Sequence, residues 1–132
     1  MPSIFTRIVQ GEIPAHKVAE TEDFLAFLDI NPLAKGHVLV IPKKEVDYIF
    51  DIGDEELAGL MAFAKRVAKA IEAVVPCERI GVSVIGLEVP HAHVHLIPIN
   101  DIGDMNFSKP KRSPSQQELA ELAEAIRGHY KE

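Results

Sequence analysis

Three of the six histidines in the sequence stand at alternate positions of one short run, His91-Ala-His-Val-His-Leu-Ile97. Successive side chains of an extended strand point to opposite faces, so His91, His93 and His95 would share one face and Ala92, Val94 and Leu96 the other. Imidazoles fill a core poorly unless each finds a hydrogen-bond partner, which marks this patch for chemistry rather than packing. Two chemistries suit it. Alternate histidines can hold a divalent metal together with a distant ligand. A neutral imidazole nitrogen can instead attack an electrophile while its other nitrogen is oriented by an acceptor. Spacing leaves both open, although no carboxylate motif adjoins the run.

The run needs a sheet to hold it. Phe24–Ile30, His37–Ile41, Arg79–Ile85 and His91–Ile97 are rich in Val, Ile, Leu and Phe and are bounded by Gly, Pro, Asn or Asp, the pattern of strands. Lys17–Glu20 adds a short edge strand. A brief turn at Gly86 would pair the last two long strands as an antiparallel hairpin. Asp54 is placed to cap a helix whose apolar stripe runs through Leu57, Leu60, Met61, Ala64, Val67, Ala68, Ile71 and Val75, with Pro76 ending it. Ser115 and Glu118 form a capping-box pattern ahead of Leu119, Leu122 and Ile126, with Gly128 near the end. Both stripes read as core surfaces. The stretch 100–114, with Gly103, Pro110, Pro114, Lys109, Lys111 and Arg112, reads as a solvated loop.

The expected architecture is therefore α+β: an antiparallel sheet of about five strands with one long central helix and a C-terminal helix. Residues 1–132 are expected to form a single domain, with the loop at 100–114 and the C-terminal helix at 115–132. At 47% hydrophobic and 26% charged the chain has an ordinary globular balance and can bury a core unaided. Its one cysteine, Cys77, rules out an internal disulfide and a thiolate zinc site, which fits a reducing, cytoplasmic setting. No signal peptide and no membrane-length apolar run is evident. A net charge of −6 argues against a general nucleic-acid binder but leaves room for a small anionic ligand held by local groups.

Beyond the histidines themselves, Gly86-Leu-Glu-Val-Pro-His-Ala-His-Val-His-Leu-Ile-Pro98 resembles the His-φ-His-φ-His-φ-φ signature, φ being apolar, of the histidine triad family. Phe27-Leu-Asp-Ile-Asn-Pro-Leu-Ala-Lys-Gly-His-Val-Leu-Val-Ile-Pro-Lys43 resembles that family's other hallmark stretch, and the pair in this order is far more specific than either alone. The opening Ile4-Phe5 with Ile8, followed by Gly11-Glu-Ile-Pro14, also matches. The C-terminal helix is less diagnostic.

The resemblance implies a nucleotide hydrolase or transferase acting on nucleoside 5′-phosphoryl compounds, phosphoramidates or dinucleoside polyphosphates, without a cofactor or metal. By position His93 matches the histidine that attacks the α-phosphorus and forms a nucleotidyl-histidine. His91 and His95 match the flanking members that orient and contact phosphate oxygens, and His37 the upstream histidine completing the cluster. Asp29 matches the residue on the ribose hydroxyls; Ile4, Phe5, Ile8, Phe27, Ile30 and Leu39 match the walls around the base. Glu88 stands near the scissile bond. Taken alone, Asp29 before Asn31-Pro32 would start a turn, His37 would begin a strand, and the apolar residues would be core. A homodimer joined through the long helix and a continuing sheet is also implied, as is a nucleotide-binding module of little turnover as the competing reading.

Two departures stand out. Many bacterial relatives bind zinc through a Cys-x-x-Cys pair around the Ile-Phe dipeptide and a histidine after the Pro-Lys-Lys segment, together with a triad histidine; here those positions hold Ser3, Thr6 and Glu45. Relatives also carry a longer Gly-rich loop with an asparagine and a Gly-Gln pair before the triad strand, whereas here Gly86 is followed by Leu87, which donates no hydrogen bond.

Overall fold

The computed structural model describes residues 2–132. Its elements run α1 (Ile4–Val9), β1 (Lys17–Glu20), β2 (Phe24–Leu28), β3 (Val38–Pro42), α2 (Asp54–Val74), β4 (Arg79–Ser83), β5 (Val94–Ile99) and α3 (Gln116–His129), with 3₁₀ turns at Ile49–Asp51 and Ile102–Met105. The strands make one five-stranded sheet in the order β1-β2-β3-β5-β4, every neighbouring pair antiparallel. This is the expected α+β architecture, with α2 as the long helix and α3 as the C-terminal one.

Strand alternation divides the apolar residues between two faces. Ala26, Leu28, Val38, Val40, Val94 and Leu96 pack against Leu60, Phe63, Val67 and Ile71 of α2 and Leu119 and Ile126 of α3. Leu25, Phe27, Leu39 and Ile41 face the other way and meet Phe5 and Ile8 of the six-residue α1, with Val9, Ile13, Ala15 and Val89 packed at the margin. Leu39 lies opposite His95 in the β3–β5 register, so the histidine belongs to this thinly covered face.

Local signals account for most element boundaries. The Ser115–Glu118 capping box forms in full at the start of α3. Asp54 does not cap α2: the N-cap is Gly53, and Asp54, Glu55 and Glu56 occupy the first turn, where their charge favours the positive end of the helix. Gly36 has φ +91°, and a Cβ there would come within 2.9 Å of Val75, so this glycine lets the chain turn tightly against α2 and enter β3.

Several boundaries depart from the sequence reading. The β4–β5 pair is antiparallel as expected, but residues 84–93 join it as a long connection, with Gly86 at φ +74°, rather than as a brief turn. The last strand begins at Val94 rather than His91. Continuing the β3–β5 register would set Ala92 against Pro42, which has no amide proton to give, and the Ala92 amide turns to the Val46 carbonyl instead. The helix α1, capped by the Ser3 hydroxyl, was not foreseen at all. The stretch 100–114 contains the short turn at Ile102–Met105, and its basic residues Lys109, Lys111 and Arg112 are exposed, as a solvated segment requires. No helix among the described residues is long and apolar enough to cross a membrane.

Candidate active site

Between α1 and the face of β2, β3 and β5 lies a cavity of about 290 Å³. Its walls include Ile4, Phe5, Ile8, Phe27, Ile30 and Leu39, and its polar groups are Asp29, Glu88, His93 and His95. The structure thus brings to one pocket all but two of the residues singled out from the sequence. Ile4 and Ile30, about half exposed, form the rim; Phe5, Ile8, Phe27 and Leu39 form the buried floor. Phe5 lies edge-on to both Phe27 and His93, with centroids 5.5 Å and 5.0 Å away, the T-shaped contact aromatic quadrupoles favour. Ile13, Pro14, Ala15, Leu28 and Val89 complete the lining.

The two exceptions are His91 and His37, which stand behind the pocket. His91 is fully buried, and both of its ring nitrogens are engaged. Nε2 donates to the Pro42 carbonyl at 2.8 Å, and Nδ1 accepts from the Ser3 hydroxyl at 2.7 Å. The phosphate-contacting role expected of His91 therefore has no free nitrogen to serve it. What His91 offers is its main-chain carbonyl, which accepts a hydrogen bond from Nδ1 of His93 at 2.8 Å. That bond places a proton on Nδ1 of His93, so in the neutral ring Nε2 carries the lone pair.

A second chain of hydrogen bonds sets His95. The Leu33 amide donates to Nδ1 of His37 at 3.1 Å, so His37 carries its proton on Nε2 and gives it to Nδ1 of His95 at 3.0 Å. His95 must then hold its own proton on Nε2 as a donor. The His93 and His95 rings are 4.9 Å apart between centroids. Burial removes water that would stabilise an imidazolium, and neighbouring histidines disfavour charge further. His37 is accordingly lowered to about 3 and His95 to about 4, and burial also lowers His91. Asp29 shows the opposite effect: burial raises its carboxyl, while the Asn31 amide, 2.8 Å from Oδ1, works against that.

Asp29, His37 and His95 bring one potential ligand atom each within 4.8 Å of one another. A cation there would have to take Nε2 of His37, whose other nitrogen already accepts the Leu33 amide; the ring would have to become an imidazolate or lose that bond. The donor set suits proton holding better than metal binding. His91, His93 and His95 do not converge on a common point either, since their ring nitrogens are directed to different partners.

Phe107 packs edge-on against His95 at 4.8 Å and lies 6.4 Å from His37. The sequence reading missed it because it sits in a polar stretch; a lone large apolar residue among charges was the available signal. His16, read as a surface residue, is half-buried and bonded to Gln116, whereas His129 is exposed as expected.

An antiparallel sheet that presents buried, tautomer-locked histidines to an apolar pocket defines a class of proteins, and comparison identifies it. The HIT domain matches residues 10–102, and the chain belongs to this, the histidine triad, family. It is 38% identical to an adenosine 5′-monophosphoramidase of Schizosaccharomyces pombe, over 99% of this chain and all of that one. It is 43% identical to a HIT-like protein of Methanocaldococcus jannaschii, over 72% of this chain and 77% of that one. Among solved structures, a HIT-like protein of Bartonella henselae superposes with a TM-score of 0.84 at 31% identity, covering 96% of this chain and 95% of that one. A zinc-bound histidine triad family protein of Mycobacterium smegmatis gives 0.82 at 29% identity, covering 96% and 91%. The zinc that the family resemblance associates with a Cys-x-x-Cys pair does not fit this chain. Ser3 and Thr6 offer un-ionised hydroxyls, and their partners are Glu45 and His91.

Proposed function

We propose that this chain hydrolyses nucleoside 5′-phosphoramidates through a nucleotidyl-histidine intermediate on Nε2 of His93. The observation that carries this reading is the 2.8 Å bond from His93 Nδ1 to the His91 carbonyl, which makes Nε2 the lone-pair nitrogen of the neutral ring in a residue that lines the pocket. Nε2 forms a bond to the α-phosphorus as the phosphorus–nitrogen bond breaks, and the departing amine takes up a proton from solvent water, whose hydroxide is neutralised when water later releases the nucleotide and gives up its own proton. The cationic ring is stabilised through Nδ1–H by the carbonyl it already holds. His95, with a proton on Nε2, donates to a phosphoryl oxygen, and His37 keeps that tautomer in place. Water then displaces the histidine and releases the mononucleotide. Asp29 receives the ribose hydroxyls, and the apolar walls take the base.

The lining carries two carboxylates, Asp29 and Glu88, and neither lysine nor arginine. A polyphosphate bridge needs more cations than Lys111, whose charge reaches Asp29 and His37 from outside the lining, so the site suits phosphoramidates better than dinucleoside polyphosphates within the substrate class. The relative in S. pombe is named for phosphoramidase activity, which points the same way. The exposed edge strand β4, with Val82 half exposed, supports a homodimer in which the sheet continues into a second copy. The competing reading, a nucleotide-binding module with little turnover, draws on Leu87, which is 88% exposed where relatives place a glutamine.

Incubation with adenosine 5′-phosphoramidate labelled at phosphorus tests this directly. Acid-labile label on the wild-type protein, absent from His93→Ala, is expected. Tight nucleotide binding without labelling or release would favour the module, and unimpaired turnover by His93→Ala would sink the nucleophile assignment.

A further inference from the structure

Ser3, Thr6, Glu45 and His91 come from three separate parts of the chain and close on one another. The Ser3 amide and the Thr6 hydroxyl both donate to Oε1 of Glu45, at 2.7 Å and 2.6 Å. The Thr6 amide donates to the Ser3 hydroxyl oxygen at 3.0 Å, and that hydroxyl donates to Nδ1 of His91 at 2.7 Å. The protons have one consistent arrangement. Because the Pro42 carbonyl accepts from Nε2 of His91, Nδ1 carries the lone pair and Ser3 must be the donor. Ser3 is 5% exposed and His91 is fully buried, so this bond is made away from water, with the Thr6 hydroxyl also 3.3 Å from Nδ1.

We infer that Ser3, Thr6 and Glu45 form a metal-free clasp that positions the nucleophile through His91. The clasp holds the His91 ring against the Pro42 carbonyl, and the His91 carbonyl in turn fixes the tautomer and aim of His93. The same clasp anchors the start of α1, whose Phe5 packs edge-on against both His91 and His93 at 5.8 Å and 5.0 Å. Hydrogen bonds here join the segments that a zinc ion would join by coordination. Ser3, Thr6 and Glu45 are positioning residues and touch no substrate. The kinetic part of this inference rests on the proposed nucleotidyl transfer; the structural part does not.

The test combines side-chain proton–nitrogen NMR of the histidines with kinetics on adenosine 5′-phosphoramidate, for Ser3→Ala, Thr6→Val and Thr6→Ser. In the wild type His91 should carry its proton on Nε2 and His93 on Nδ1. Ser3→Ala and Thr6→Val should each disturb the His91 and His93 signals and lower kcat by about tenfold, with KM held within about twofold, because misaim raises the barrier without removing binding contacts. Thr6→Ser should restore both signals and rate relative to Thr6→Val. Should Ser3→Ala fail to fold, the near-isosteric Thr6→Val carries the same test. Unchanged histidine signals in a folded Ser3→Ala or Thr6→Val would overturn the clasp. So would an activity loss that merely tracks the unfolded fraction, or stoichiometric zinc in the wild type. A wild type without turnover whose signals still respond to Ser3→Ala would refute the hydrolase reading and leave the clasp standing.

Discussion

The two faces of the sheet are built from the same strands by the same alternation, and they differ in what covers them. One face meets α2 and α3, and Leu60, Val67, Ile71 and Ile126 on those helices are fully buried against it. The other meets the six residues of α1 and a few loop side chains such as Ile13, Ala15 and Val89, and in the space left uncovered lie the pocket and the histidines. A strand face that is fully covered can hold only apolar side chains cheaply, since a stranded imidazole there would lack partners. On the thinly covered face His93 and His95, both buried, line the pocket and lie against each other, and hydrogen bonds from loops reach behind them to His37 and His91. Stability and chemistry are thus separated by the thickness of one sheet.

That separation can be broken from either side. The largest effect belongs to the histidine face: His93→Ala should lower turnover by about a thousandfold or more, while the thermal midpoint changes little, as steady-state kinetics and calorimetry would register. Comparable losses of activity and stability would mean the two faces are not independent. On the helix face, Phe63, 1% exposed and stacked with Phe24, should cost about 3–5 kcal/mol when replaced by alanine, read from denaturant unfolding. Nucleotidyl labelling of the folded fraction should survive. Gly36→Ala should cost roughly 1–3 kcal/mol, because an L side chain resists the positive φ and its Cβ would press on Val75; a neutral result would show that the turn relaxes.

The buried imidazoles give the histidine face a pH signature. In the unfolded chain histidine takes up a proton near pH ~6.5. In the folded chain His95 does so only at about 4 and His37 only at about 3. Above 6.5 both groups are neutral in both states and contribute nothing to the pH dependence. As pH falls from 6.5 toward 4, the unfolded state binds protons that the native state refuses, and stability declines. His95→Asn should flatten this decline in urea titrations between those limits, and an unaltered slope would contradict the assignment. The smallest effect is expected at the rim: Ile30→Ala should raise KM by roughly twofold to threefold with kcat intact, because a half-exposed side chain loses only part of its burial.

Much of this was legible in the residue order. The apolar runs within Phe24–Ile30 and His37–Ile41, bounded by Gly, Pro, Asn or Asp, marked strands, the helical stripe of α2 and the Ser115–Glu118 box marked helices, and the period-two histidines marked the site. What failed to show were features that depend on distant partners. The start of β5 moved to Val94 because Pro42, far away in sequence, cannot donate to Ala92. The helix α1 is too short to display a period, and it is held by a capping hydroxyl and by Glu45.

The sequence by itself determined that a histidine-bearing strand would sit in an antiparallel α+β fold, because periodicity is a local property, and it tied Asp29 and His37 to that strand only through the family resemblance of the stretch that carries them. Only the tertiary structure decided what each histidine can do. A ring's tautomer follows from the partners of both its nitrogens, and here those partners are the Leu33 amide, the Pro42 and His91 carbonyls, and the Ser3 hydroxyl. Spacing along the chain treats the three alternating histidines as equivalent; packing makes His91 a buried support, His95 a donor set by His37, and His93 the ring with a free lone pair.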